Sequence, residues 1–286
     1  MGEVTAINLI DLRLAGKART TGAYLLDSPD GPTLVDCGAS STLDALRRGL
    51  HANDVTVAEL RHIVVTHIHL DHAGAAGTLV RENPALQVHV SEVGRFHLAY
   101  PVALEFSARG VYGDRFDEFW GPLVGVPESN LHAVGEKVCG LKVVPTPGHA
   151  VHHVSYLAPD GTLFAGDAGG IRIAPGKHIT PPTPPPDFDL DAWLHSIDAM
   201  QALRPTRLAL SHFGFADDPD EHLTRLRAKI THWHEVVAGG TSEDEFAAFV
   251  RDEVAAGGEQ ADYHETLPAE QLYRGIKMYV ERTRTR

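Results

Sequence analysis

Thr66-His67-Ile68-His69-Leu70-Asp71-His72 places four strong metal-binding side chains within six consecutive residues, His67 to His72. Packing alone gives a soluble fold no reason for such a run. It follows the apolar Ile63-Val64-Val65 and precedes the small residues Ala73-Gly74-Ala75-Ala76-Gly77. That order predicts a buried strand ending in a turn, with a helix starting just beyond. Side chains two apart on a strand face the same way, so His67 and His69 are expected to point together. Asp71 and His72 then fall in the turn and face a second nearby position. The spacing predicts two metals rather than one.

The rest of the chain sets the frame for that motif. With 286 residues it fits one large domain or a domain with an appendage. No run of 18 apolar residues occurs, so no transmembrane helix is expected. The start, Met1-Gly2-Glu3-Val4-Thr5-Ala6, lacks the basic and apolar regions of a signal peptide. The only cysteines, Cys37 and Cys139, rule out a disulfide framework and read as small core residues. Together these features predict a cytoplasmic protein. The formal charge of −13 weighs against a nucleic-acid partner, because that binding rests on Lys and Arg. The expected partner is a small-molecule substrate, with no nucleic acid and no membrane, and a homodimer is left open.

Gly22–Leu26 and Pro32–Gly38 read as a hairpin, and Leu43, Leu46 and Leu50 as a helix face. Gly77–Glu82 continues a helix and Gln87–Val90 returns as a strand. Residues 92–130 read as irregular helix and loop. Lys142–Val144, Val154–Leu157, Thr162–Ala165 and Arg207–Leu210 are strands. The run Pro181-Pro182-Thr183-Pro184-Pro185-Pro186 cannot be helix interior. It serves as a rigid linker or as a pocket wall. Asp187–Leu203 and the stretch from Asp220 onward are helical.

Three further positions join the opening run. His149 follows the strand ending at Val144, Asp167 follows Phe164-Ala165-Gly166, and His212 follows Leu208-Ala209-Leu210-Ser211. Each leaves a strand into a loop shaped by Gly or Pro, where a rigid scaffold presents functional groups. The set is five imidazoles (His67, His69, His72, His149, His212) and two carboxylates (Asp71, Asp167). Nitrogen and oxygen donors without thiolate suit two divalent ions, with Zn²⁺ expected first and Mn²⁺ or Fe²⁺ as alternatives. Seven donors exceed what one tetrahedral ion uses. If one carboxylate bridges, each of two ions receives four protein ligands, as in a two-metal hydrolytic site.

With these residues in order, the sequence resembles the metallo-β-lactamase-fold superfamily of metallo-hydrolases over roughly its first 215 residues. The resemblance implies an α/β fold, an αββα sandwich with the metals at one edge. It implies a catalytic domain over 1–215 and a helical C-terminal extension over 216–286. It also implies that His67, His69 and His149 hold the first metal, that Asp71, His72 and His212 hold the second, and that Asp167 bridges them. The presence of Asp167 makes the chain look like the glyoxalase II-type and lactonase-type branches more than the true β-lactamases. The 181–190 segment with Ser211-His212-Phe213-Gly214 resembles a small subgroup of uncharacterised prokaryotic members.

The expected reaction is attack of a metal-bridging hydroxide on a small ester, thioester or lactone, with Asp71 orienting the water or accepting its proton. Asp36 is expected to fix the tautomer of a ligand imidazole. His153 is assigned a structural or supporting role and His152 a place at the surface. His62, His89, His97, His132 and His195 match no ligand spacing and read as ordinary side chains. Phe96, Tyr100, Phe106, Tyr112, Phe116, Phe119 and Trp120 line an apolar pocket or belong to the core. The alternatives are a mononuclear iron oxidoreductase like the persulfide dioxygenases, or a phosphodiesterase, against which the acidic balance weighs.

Overall fold

Alternation within Gly22–Ser28 shows how the layers are built. Ala23 and Leu25 enter one core while Tyr24 and Leu26 enter another, as a strand covered on both faces requires. The computed structural model describes residues 4, 6–173, 175–256 and 268–284. Residues 257–267 and 285–286 of the expected C-terminal extension lie outside that set.

Among the described residues, sheet A holds β1 (Ile7–Asp11), β2 (Gly22–Ser28), β3 (Gly31–Val35), β4 (His62–Val64), β5 (Gln87–Val90) and β6 (Leu131–Ala133), in that spatial order. Sheet B holds β7 (Lys137–Val138), β8 (Leu141–Pro145), β9 (Val154–Leu157), β10 (Thr162–Phe164), β11 (Arg207–Leu210) and β12 (Gly214–Ala216), again in sequence order. Strands β3 to β6 run parallel. Between the sheets lies a core that includes Tyr24, Leu26, Val35, Val64, Leu141, Tyr156 and Phe164. Two tyrosines in it reach across: Tyr24 Oη donates to the Leu210 carbonyl at 2.7 Å and Tyr156 Oη to the Val65 carbonyl at 2.8 Å. These bonds tie together the chain segments that lead into His67 and His212.

Helices α1 (Leu43–His51), α2 (Leu70–Ala73), α3 (Ala76–Glu82), α4 (Glu92–Ala99), α5 (Val102–Tyr112) and α6 (Phe116–Trp120) lie on the sheet A side. Leu46, Leu50, Leu79 and Leu98 pack there. Helices α7 (Leu190–Ala202), α8 (Pro219–Ala238), α9 (Glu243–Ala256) and α10 (Ala269–Arg284) cover sheet B. Trp193, Leu226, Trp233, Phe246 and Ile276 from all four share one core. The result is the expected αββα sandwich.

Residues 92–130, expected as irregular helix and loop, hold three regular helices, α4 to α6. Helix α5 has no buried residue, and its apolar row, Leu104, Ala108 and Tyr112, is only half-buried. Its Glu105–Arg109 ion pair at 2.9 Å, one turn apart, supports it instead. At the other end of the chain, a Cβ on Gly275 would stand 1.9 Å from the Thr183 carbonyl oxygen. Only glycine lets α10 press directly on the proline-rich segment.

Candidate metal centre

Strand β4 stops at Val64, so His67 and His69 lie in the loop beyond it rather than on the strand. Asp71 and His72 do not fall in a turn either; they belong to α2. His69 is extended at its head, and its carbonyl accepts from the amides of His72 and Ala73 at 3.0 and 2.9 Å. An acidic residue in the first helical turn is favoured there. Loop and helix together still turn all four side chains inward.

The seven donors expected from sequence come together in two groups. His67 Nε2 and His149 Nε2 lie 3.0 and 2.9 Å from His69 Nδ1. With Asp167 they form a set whose donor atoms all fall within 4.8 Å of one another. Asp71, His72 and His212 form a second such set. Asp167 faces both: Oδ2 is 3.4 Å from His149 Nε2, while Oδ1 is 3.3 Å from Nε2 of His72 and of His212. Asp71 Oδ2 lies 3.4 Å from His72 Nε2 and 3.3 Å from His212 Nε2.

The outward ring nitrogens of His67, His72, His149 and His212 are tied down, which fixes which nitrogen looks in. His149 Nδ1 donates to the Pro182 carbonyl at 2.8 Å, and His212 Nδ1 donates to the Thr20 carbonyl. His72 Nδ1 donates to Asp36 Oδ2 at 2.9 Å. The Thr66 hydroxyl gives its hydrogen to Asp36, so at 3.0 Å it accepts from His67 Nδ1. Inside, His72 Nε2 and Asp167 Oδ1 are buried without a hydrogen-bond partner. Buried polar atoms rarely go unpaired, and a cation between the two groups satisfies both. The donor set and its orphaned atoms fit divalent ions.

Electrostatics divides the groups. Burial, reinforced by neighbouring imidazoles, holds His67 and His69 well below the ordinary histidine range, and burial also lowers His149. In the second group burial is overcome. Asp71, Asp167 and Asp36 push His72 well up, and Asp167 and Asp71 push His212 up to about 10. Burial opposes ionisation of Asp71 and Asp167 too, but the surrounding imidazoles hold both far below the carboxylate range. A field that draws protons onto two imidazoles also attracts a metal cation.

Expectations for the flanking histidines divide. His153 is buried; its Nδ1 donates to Thr146 Oγ1 at 2.8 Å and its Nε2 accepts from the Ala168 amide at 3.3 Å. It thereby props the turn bearing Asp167, where a Cβ on Gly166 (φ +51°) would stand 2.5 Å from that Nε2. His152 is not at the surface as expected, being only 6% exposed. The Ser91 hydroxyl holds its carbonyl at 2.7 Å, and its ring lies parallel to His67. His62 and His89, expected to be ordinary, meet at 3.0 Å near Cys139.

A pocket of about 200 Å³ opens above the donors. Pro182 and Pro184–Pro186 line it, so the proline run is a wall. Leu104, Val111, Tyr112, Trp120 and, from α10, Gln271 complete its sides. Of the aromatics, Phe116 and Phe119 are core, while Phe96, Tyr100 and Phe106 are exposed. Sequence reasoning missed the outer contacts from Thr20 and Pro182, because backbone carbonyls carry no side-chain signature.

Comparison with known proteins places this arrangement. A family model for the metallo-beta-lactamase superfamily matches residues 17–212. The uncharacterized protein YobT of Bacillus subtilis is 30% identical over 219 residues, 72% of this chain and 88% of that protein. A solved archaeal protein of the same superfamily, from Sulfolobus tokodaii, matches with a TM-score of 0.65 at 20% identity, over 98% of this chain and 99% of that one. The N-acyl homoserine lactonase AttM of Rhizobium johnstonii is 27% identical over 160 residues, 47% of this chain and 57% of that protein. With the family match spanning most of the sandwich, the chain belongs to the metallo-beta-lactamase superfamily, whose members are mostly hydrolytic metalloenzymes.

Proposed function

We propose that the chain is a binuclear metal-dependent hydrolase of a small ester, thioester or lactone. The observation that carries this reading is Asp167, whose two carboxylate oxygens face two separate groups of imidazoles at one pocket floor. His67, His69 and His149 would hold one ion, Asp71, His72 and His212 the other, with Asp167 shared and Zn²⁺ the first choice. When bound, such ions lower the pKa of water from about 16 toward neutrality and polarise a carbonyl.

The chain's own residues do the rest. Asp71 is the most exposed of the charged donors, at 19% of its side chain, and it can orient the attacking water and accept its proton. Asp36 and the carbonyls of Pro182 and Thr20 keep the imidazoles in one tautomer. Leu104, Val111, Tyr112 and Trp120 exclude water around an apolar acyl group. Among the described residues no Lys or Arg lines this pocket, and Asp187 adds a negative charge to it. That lining disfavours a phosphodiester and favours an uncharged carbonyl compound, in keeping with the similarity to a lactonase.

The test is a panel on metal-defined protein: an acyl-homoserine lactone, S-lactoylglutathione, an aryl ester and a phosphodiester. Turnover of a carbonyl substrate with two ions per chain is expected. One iron per chain with oxygen consumption on a persulfide, or turnover of the phosphodiester alone, would overturn the reading.

A further inference from the structure

A second group of metal-binding side chains stands apart from those seven. His62 opens β4, and His89 pairs in register with Val64, two residues on. Residues two apart on a strand share a face, and Val64 belongs to the core between the sheets. Both imidazoles therefore look toward sheet B, where Cys139 and Gly140 turn β7 into β8. His62 Nδ1 and His89 Nε2 are 3.0 Å apart, and with Cys139 Sγ the three donor atoms lie within 4.8 Å of one another.

Three features distinguish this group from ordinary packing. The contact between ring nitrogens matches the 3.0 Å separation of His67 Nε2 and His69 Nδ1 in the main centre. Cys139 sits at φ 47° and Gly140 at φ 78°. A two-residue turn with both φ values positive ordinarily takes Asn-Gly, and a cysteine there carries a backbone strain of about 1–2 kcal/mol. Such strain commonly accompanies function. Burial also favours the neutral form of both rings, the form that binds a metal, lowering His62 and bringing His89 down to about 4. Burial pushes the Cys139 thiol up to about 12, while a Thr33 hydrogen bond pulls the other way.

We propose that His62, His89 and Cys139 form a separate site for one borderline-soft transition ion such as Zn²⁺, joining sheet A to sheet B. The thiol proton leaves to solvent as the sulfur binds, one proton per ion. Tetrahedral Zn²⁺ with its usual bond lengths sets donor separations of about 3.3–3.6 Å, between the two limits found here. Three protein ligands leave a fourth position for water or a small ligand. His132 stays outside: it is exposed and bonded to Gln87 at 2.6 Å.

Cobalt substitution of the full chain tests this site alone, because the other seven donors include no sulfur. Cobalt-saturated wild type is expected to show a near-ultraviolet sulfur-to-cobalt charge-transfer band. Cys139→Ser should lose the band and one ion per chain. His89→Gln should weaken cobalt binding at that band at least about tenfold, and it serves as the test if Cys139→Ser misfolds. No band in wild type, or a band persisting in Cys139→Ser and therefore belonging to Cys37, overturns the proposal. Neither result depends on whether the main centre is binuclear.

Discussion

His72 Nδ1 donates to Asp36 Oδ2 at 2.9 Å, and that carboxylate also accepts from the Thr66 amide at 2.8 Å and the Ser211 hydroxyl at 3.2 Å. Through the Thr66 hydroxyl it further orients His67. One buried carboxylate therefore reaches both imidazole groups and the residue before His212. Asp36→Asn replaces one acceptor oxygen by a donor that faces donors. Affinity for divalent metal should fall about 10–100-fold, measured by competition with a chelator. Metal affinity equal to wild type would remove Asp36 from the centre.

Asp167→Ala leaves Nε2 of His72 and of His212 facing only Asp71 and takes from the first group its only acidic donor. The bound metal should drop from two ions per chain to one or fewer. Hydrolysis should fall by more than about 100-fold, beyond the loss of an outer contact. Metal analysis of wild type and variant, prepared side by side, decides this. Undiminished metal and activity would end the bridging assignment.

The two groups should differ in proton release. His67, His69 and His149 are depressed and neutral at pH 7, so an ion binding there displaces no imidazole proton. His72 is raised and His212 reaches about 10, so both carry protons at pH 7 that an ion must displace. Affinity of the second group therefore rises with pH up to about 10 and weakens as pH falls, by up to tenfold per unit for each proton displaced. Calorimetry at pH 7 in buffers of different ionisation enthalpy separates the steps. Equal proton release in both would contradict the division.

What the sequence made legible followed from residues whose chemistry is rare and whose spacing is tight. His67, His69, Asp71 and His72 are adjacent in the chain, and His149, Asp167 and His212 each sit just past an apolar strand. The chain was less legible where tertiary contacts decide. His152 reads as an exposed loop residue until Ser91, 61 residues away, holds its carbonyl. His62, His89 and Cys139 have no common spacing because three different segments bring them together. Helix α5 offers only a narrow apolar row, Leu104, Ala108 and Tyr112, none of it fully buried.

The C-terminal helices should matter to the metal centre through one glycine. Gly275 of α10 lies against Thr183, whose hydroxyl donates to the Leu272 carbonyl at 2.9 Å. The residue before Thr183 is Pro182, whose carbonyl holds His149 Nδ1. A methyl group in Gly275→Ala would meet the Thr183 carbonyl oxygen at 1.9 Å, so helix and segment must separate. Overpacking of this kind costs about 1–3 kcal/mol. The expected outcome is a lower melting temperature together with weaker metal binding in the His149 group. Gly110→Ala is the matched control, because nothing lies within 4 Å of its added methyl group and α5 continues through it. That variant should be neutral or stabilised by up to about 1 kcal/mol. If Gly275→Ala lowers stability but leaves metal affinity at the control value, α10 supports the fold without reaching His149.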